Sequence, residues 1–123
     1  MTAPNAAIAV GFGDKPPLQR MRLVKWRRVV RGSLRGFATV ELPIGLVIYD
    51  APVFVGRNGP FARMPAKPQL DRDGRQKRAD GQPLYDAVID WKSRALADRF
   101  SAALIALVVA AHPDALAGEA VAA

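Results

Sequence analysis

The chain has 123 residues, half of them hydrophobic, and its formal net charge at neutral pH is +7. A chain of this length predicts a single domain, whose small core leaves room for a dimer to bury additional surface. The sequence has no cysteine, which excludes disulfides, cysteine–zinc sites and thiol catalysis. The positive charge favours an anionic partner, with nucleic acid ahead of an acidic membrane surface. A basic surface that only maintains solubility is the alternative.

The N-terminal region lacks the basic stretch and the long apolar stretch of a secretory signal. The longest apolar run, residues 102–111, has ten residues, whereas about 20 are needed to span a bilayer. We therefore expect a cytoplasmic protein that does not cross a membrane.

Prolines and glycines without periodicity fill residues 1–17 and predict a flexible arm. A first strand is predicted over residues 18–31, with a helix as the competing interpretation. Alternation gives this strand an inner face and a more basic solvent face. The inner face holds Val24, Trp26, Arg28 and Val30, and the solvent face holds Leu23, Lys25, Arg27, Val29 and Arg31.

Two further strands follow. A turn at Gly32-Ser33 leads to a second strand over residues 34–42, and residues 46–55 predict a third. Pro52 interrupts the third strand, and proline inside a strand belongs at an edge or a bulge.

A tight β-hairpin is predicted over residues 53–64, with its turn at Gly56-Arg57-Asn58-Gly59. Asparagine and glycine tolerate the positive φ that such turns require. These glycines could also form a phosphate cradle, but no helix follows them, so we favour the hairpin.

The C-terminal half predicts a long polar loop at 66–83, a fifth strand at 84–91 and a helix capped by Ser93. Apolar residues three and four apart continue the helix to Ala111, and His112-Pro113 ends it. Beyond Phe100 the helix is apolar nearly all round, which predicts a second buried side at a subunit interface. Residues 113–123 are predicted as a flexible tail.

These elements predict an α+β fold over residues 18–112. Its parts are a small antiparallel sheet of about five strands, with the hairpin at 53–64, and a long C-terminal α-helix. A homodimer is the expected assembly.

Catalytic residue types are sparse. His112 is the only histidine, and at the end of a helix it is more typical of a helix-terminus partner than of a catalyst. No serine has an acid or base partner suggested by its spacing. Asp71 and Asp73 resemble the start of a calcium loop, but basic residues occupy the later ligand positions. We therefore expect no enzymatic activity, no metal site and no cofactor.

Basic residues cluster in two stretches. Residues 20–35 carry seven positive charges and no acid, and residues 63–78 carry six against two aspartates. Arginine predominates, and its guanidinium group binds phosphate in a bidentate manner and stacks on bases. Trp26, Phe54 and Phe61 could stack on bases, although we favour a core position for each. The candidate nucleic-acid-binding residues are Lys25, Arg27, Arg28, Arg31, Arg35, Arg57, Arg63, Lys67, Arg72, Arg75, Lys77 and Arg78.

One motif resembles a known family. Asp50, the Gly56-Arg57-Asn58-Gly59 turn and the run Phe61-Ala62-Arg63-Met64-Pro65-Ala66-Lys67 resemble the core motif of the SpoVG septation-regulator family. In that motif an Asp precedes a strand, a glycine-rich turn surrounds Asn-Gly, and a Phe is followed by Met-Pro-Ser-Lys or a similar run. The resemblance implies a small, mostly antiparallel β protein with a C-terminal helix. It also implies a dimeric, bacterial, cytoplasmic regulator that binds DNA or RNA.

The chain departs from that family pattern in three ways. Ala66 stands where serine is common, the loop after Lys67 is long and basic, and the C-terminal helix is rich in alanine. The family's nucleic-acid contacts near the helix therefore do not transfer directly, and we expect the contacts in residues 20–35 and 63–78 instead.

Our leading hypothesis is a SpoVG-like, non-enzymatic regulatory protein that binds the phosphate backbone of DNA or RNA through arginine clusters. The alternative is a protein–protein interaction module that pairs through its apolar C-terminal helix. An enzyme ranks third.

Overall fold

The computed structural model describes residues 20–118. The predicted arm at residues 1–17 and the end of the predicted tail at 119–123 lie outside these described residues. A four-stranded antiparallel sheet with strand order β1-β2-β3-β4 forms the body of the fold. Its strands are β1 (Arg22–Arg31), β2 (Leu34–Glu41), β3 (Val47–Gly56) and β4 (Gly59–Ala62). One long helix, α1 (Arg94–Ala111), follows, and the predicted α+β class is confirmed.

The core lies between the helix and one face of this sheet. The helix contributes Phe100, Leu104 and Val108, which are all fully buried. The sheet contributes small and β-branched residues that let the helix approach closely: Ala38, Val40, Ala51, Val53 and Ala62. Because strand side chains alternate between faces, the residues beside these in sequence point away from the helix.

The faces of β1 were predicted correctly for the middle of the strand and wrongly at its start. A register shift lies between Leu23 and Lys25 where β1 pairs with β2, so the alternation breaks there. Leu23 packs against the core, although it was predicted to face solvent. Val24, predicted to face inward, is 53% exposed. Trp26 packs against the core as predicted.

A bulge interrupts β3 at Tyr49 and Asp50, whereas the break was predicted at Pro52, which pairs in register with Phe37. Two β3 residues, Tyr49 and Asp50, stand opposite the single β2 residue Thr39. Asp50 has a φ of 51°, and its backbone N–H donates to the Thr39 hydroxyl oxygen at 3.2 Å. Aspartate is among the few residues that adopt this left-handed backbone readily.

The predicted hairpin is confirmed, with Gly56 pairing with Gly59 across a turn formed by Arg57 and Asn58. The positive φ, 111°, belongs to Gly59, and Asn58 does not share it. The fourth strand ends at Ala62, two residues before its predicted end.

Residues 66–87 are more ordered than predicted. β5 (Ala66–Pro68) pairs with β8 (Tyr85–Ala87), and between them β6 (Arg78–Ala79) pairs with β7 (Gln82–Pro83). The predicted structureless loop at 66–83 is therefore wrong. The predicted fifth strand at 84–91 is reduced to three residues in a separate two-stranded sheet.

The helix matches its predicted bounds. The Ser93 hydroxyl oxygen accepts a hydrogen bond from the Leu96 N–H at 3.2 Å, which caps the first turn. At the other end, the His112 N–H donates to the Val108 carbonyl at 2.7 Å. Within residues 20–118, no helix combines the length and the apolar character that crossing a membrane requires.

A turn follows the helix at residues 113–116. Ala115 in this turn is only 2% exposed and belongs to the core. The packed domain therefore extends beyond residue 112, where the flexible tail was predicted to begin.

Candidate nucleic-acid interface

The sheet face opposite α1, here called the open face, gathers basic and aromatic side chains in two cross-strand rows. In the first row, Arg27 pairs with Phe37 and Phe37 pairs with Pro52. The Arg63 N–H donates to the Pro52 carbonyl at 3.1 Å, which brings Arg63 into the same row. Directly paired residues lie on one face of a sheet, so this row places an arginine at each side of a four-strand span of about 14 Å.

The second row lies closer to the hairpin turns. Arg31 pairs with Leu34, Leu34 with Phe54, and Phe54 with Phe61. Alternation from Arg27 places Arg31 on the open face, and the register shift between Leu34 and Gly36 brings Leu34 to the same face. Together with Lys25, the two rows bring four basic side chains to one surface.

Guanidinium groups lie over two of the aromatic rings. Arg27 Cζ is 4.8 Å from the centroid of the Phe37 ring, and Arg63 Cζ is 5.2 Å from that of Phe61. The Phe54 and Phe61 rings stack with centroids 5.2 Å apart and an interplanar angle of 23°. All three rings are half-buried, whereas both arginines are exposed. The contacts therefore hold the guanidinium groups against the sheet and leave their charge in solvent.

Asp50 forms an ion pair with one of these cations, Arg27. Its Oδ1 lies 3.7 Å from Arg27 Nη2, and both side chains are more than half exposed. A pair of this kind contributes about 0–1 kcal/mol and is screened by salt. Arg22 is bonded to Glu41 at the far end of β1. That hydrogen bond, followed by the charge of Glu41, raises the pKa of the Arg22 guanidinium.

Two of the candidate arginines face the opposite way and hold the C-terminal turn. Arg28 Nη1 donates to the Asp114 carbonyl at 2.7 Å, and Arg28 Nη2 donates to that of Ala117 at 3.1 Å. Arg35 Nε donates to the Leu116 carbonyl at 3.2 Å. Helix ends leave carbonyls without intrahelical partners, and these arginines supply donors just beyond that end. We therefore leave Arg28 and Arg35 out of the interface.

The remaining candidates belong to other elements than the two rows. Arg57 is exposed in the hairpin turn, and Lys67 is exposed in β5. The other four are exposed in the segment 72–78, here called the basic loop. One of these, Arg78, donates from Nη1 to the Gly81 carbonyl at 3.0 Å. The basic loop consists of Arg72, Arg75, Lys77 and Arg78 with the residues between them.

A cleft of about 760 Å³ runs between the hairpin and the first turns of α1, and Arg57, Arg63 and Arg94 are among its lining residues. Two of its polar side chains are engaged: Arg94 Nε donates to Asp98 at 3.3 Å, and the Ser101 hydroxyl oxygen accepts from the Ala62 N–H at 2.8 Å. The buried Trp91 Nε1, which also lines the cleft, has no hydrogen-bond partner among the described residues. Among residues 20–118, no three histidine or acidic side chains are grouped so that they could hold a metal ion.

Sequence reasoning missed the aromatic part of this surface. It favoured the core for Phe54 and Phe61, yet neither belongs to the core cluster, so that interpretation is wrong for both. It did not consider Phe37. Alternation in β2 separates Phe37 from Ala38 and Val40, and this signal could have identified it.

We compared the sequence with models of known protein families and with curated proteins, and neither comparison found a match. The geometry of the open face therefore carries the functional argument.

Proposed function

We propose that this chain is a non-enzymatic regulatory protein that binds DNA or RNA, with the phosphate backbone lying on the open face. The observation that carries the proposal is the convergence of Lys25, Arg27, Arg31 and Arg63 on one surface, where Asp50 is the acid paired with Arg27. The excess of positive over negative charge at this surface matches a polyanion.

The type of cation supports a phosphate ligand. An arginine offers donors in a planar fork that fits two phosphate oxygens, and its weak hydration makes the contact favourable. Arg27 and Arg63 are held against aromatic rings, so less side-chain freedom is lost when they bind a ligand. Arg57 and the basic loop carry further positive charge and would add weaker contacts.

Part of the SpoVG-like motif lies at this surface. Within the motif at residues 50–67, Asp50 forms the bulge beside Arg27, and Phe61 and Arg63 lie on the open face. The motif and the proposed interface thus meet in one region. A SpoVG-like regulatory role and a bacterial, cytoplasmic setting form part of the proposal.

Fluorescence anisotropy with a labelled oligonucleotide, repeated over a salt series, tests this function. Binding should weaken steeply with salt, because each phosphate contact releases a counterion. Combining Arg27→Gln, Arg31→Gln and Arg63→Gln should reduce the slope of log K against log salt by about 2 for a single-stranded probe.

The matched control removes three charges from the basic loop through Arg72→Gln, Arg75→Gln and Lys77→Gln. We expect a smaller loss of affinity in this control. A larger loss there than on the open face would move the interface to the loop. Absence of any binding at low salt would contradict the proposed function as a whole.

A second proposal, a homodimer, is favoured by exposed apolar side chains rather than by the helix. Tyr49 is 69% exposed and Val88 is 67% exposed. Both line a groove whose other walls include Leu46 and Ile89. The outward side of α1 carries mainly alanines with Val109. We therefore propose that two copies of the chain contact each other at this groove and not through the C-terminal helix.

Size-exclusion chromatography with light scattering tests this contact. A dimer that dissociates in the Val88→Lys variant supports it. A monomer at all concentrations contradicts it, and so does a dimer that the substitution leaves intact.

A further inference from the structure

We propose that the open face is a stacking platform for single-stranded nucleic acid, in which unpaired bases lie on Phe37 and on the Phe54–Phe61 pair while Arg27 and Arg63 hold the adjoining phosphates. This inference rests on the proposed function and specifies which form of nucleic acid the same site takes. The occupant is a strand whose bases are free to leave their own stack.

The first support for this platform is the position of the aromatic rings. Three phenylalanines stand on one sheet surface: Phe54 and Phe61 pair across β3 and β4, and Phe37 on β2 pairs with Pro52 in the other row. Packing alone would bury such rings in the core, but these rings are half-buried and outside the core cluster. Rings partly open to solvent on a flat sheet offer their faces to other flat groups. Every nucleobase is such a group, whatever its sequence.

The second support is the weakness of the contacts between the arginines and the rings. The guanidinium groups of Arg27 and Arg63 already occupy the positions over Phe37 and Phe61 that a flat cation or a base would take. An exposed cation over a ring contributes only about 0.5–1 kcal/mol. A base can therefore displace the guanidinium group or stack upon it. A displaced arginine remains within reach of the phosphate that follows that base.

The shape of the surface excludes a duplex as the preferred ligand. In a double helix the bases stack on one another and show only their edges in the grooves. A sheet face reaches the phosphates of a duplex but cannot bring its rings to the base planes. Only a single strand can stack its bases on the phenylalanines while its phosphates contact the arginines. The ring contacts should therefore favour single-stranded over duplex nucleic acid.

The placement of the positive charges also favours a single strand. Two of the rings each have a cation beside them, with Arg27 beside Phe37 and Arg63 beside Phe61. A single strand alternates phosphates and bases along its length. Because the platform contacts neither ribose nor deoxyribose specifically, we expect DNA and RNA strands to bind with affinities within about threefold of each other.

The experiment compares an unstructured single strand of about 12 nucleotides with its duplex, by anisotropy at one salt concentration and then over a salt series. The chain variants are Phe37→Leu and Phe61→Leu, which keep an apolar side chain and remove the ring. Ile44→Ala is the control, because Ile44 is an exposed apolar residue in the turn between β2 and β3, away from the platform rings. Phe37→Tyr keeps the ring and should bind as the natural protein does.

We expect the single strand to bind at least tenfold more tightly than the duplex. Each platform Phe→Leu change should weaken single-strand binding by about fivefold or more, with an unchanged salt slope, because no phosphate contact is lost. Circular dichroism confirms that each variant is folded, and Phe37→Tyr tests the ring even if Phe37→Leu unfolds.

Equal binding of single strand and duplex, with Phe→Leu variants indistinguishable from the natural protein, overturns the platform and leaves phosphate binding intact. Loss of all binding at low salt in the natural protein overturns the proposed function as well. The two failures are therefore distinguishable in the same experiment.

Discussion

Arg27 and Arg28 are neighbours in the chain and lie on opposite faces of the same strand. Arg27 stacks over Phe37 on the open face and is exposed. Arg28 reaches the other side of the sheet and donates to the carbonyls of the C-terminal turn. A run of basic residues in a strand is thus divided in two by alternation, and only one half is available to a ligand.

The two sheet faces as a whole differ as these two arginines do, since one face is packed and the other is open to a ligand. The helix face holds the fully buried residues of the core, whereas the open face holds half-buried rings and exposed cations. We therefore expect substitutions on the helix face to change the free energy of unfolding, and substitutions on the open face to change the affinity for nucleic acid.

The largest effect should come from the helix face. Leu104 is fully buried, and Leu104→Ala leaves a cavity that should lower the free energy of unfolding by about 2–5 kcal/mol. Val109→Ala, at a more exposed position of the same helix, should cost less than about 1 kcal/mol. Urea denaturation measures both. Similar losses for the two variants would show that the core is not where we place it.

The next effect separates the two neighbouring arginines. Arg28→Gln removes donors from the carbonyls of the C-terminal turn and should lower the free energy of unfolding by about 1–3 kcal/mol. Arg27→Gln should change it by less than about 0.5 kcal/mol and should weaken oligonucleotide binding instead. Urea denaturation of both variants measures the change in stability, and fluorescence anisotropy of both measures the change in oligonucleotide affinity. A loss of affinity in Arg28→Gln comparable to that in Arg27→Gln would break the division between the faces.

The smallest effect concerns the acid on the open face. Asp50→Asn removes the negative charge beside Arg27, and asparagine accepts the positive φ at this position. We expect binding at low salt to become about two- to fivefold tighter. Asp80→Asn is the matched control, because Asp80 has a φ of 52° in the turn between β6 and β7. Tighter binding in the Asp80→Asn variant alone, measured by anisotropy, would favour the basic loop as the interface.

Local chemistry predicted the elements whose signals lie close together in the sequence. The turn glycines predicted the hairpin, and Ser93 predicted the start of the helix. The two-residue strands β6 and β7 could not be predicted in this way, because pairing partners rather than residue preferences define such short strands.

The candidate site was predictable in part. Alternation assigned Lys25, Arg27 and Arg31 to one face, and their exposure agrees with that assignment. The engagement of Arg28 with the turn at residues 114–117 depends on a contact between distant parts of the chain, which no local pattern encodes. The same is true of Arg63, which reaches the row of Arg27 only through the pairing of β3 with β4.

The most direct measurement of the central claim is the change in backbone amide chemical shifts when an unstructured single strand is added to the labelled protein. We expect the largest shifts at Arg27, Phe37, Phe61 and Arg63, and small shifts in the C-terminal turn and the basic loop. Shifts confined to the basic loop, or spread over the helix with none on the open face, would contradict the assignment of the interface to this face of the sheet.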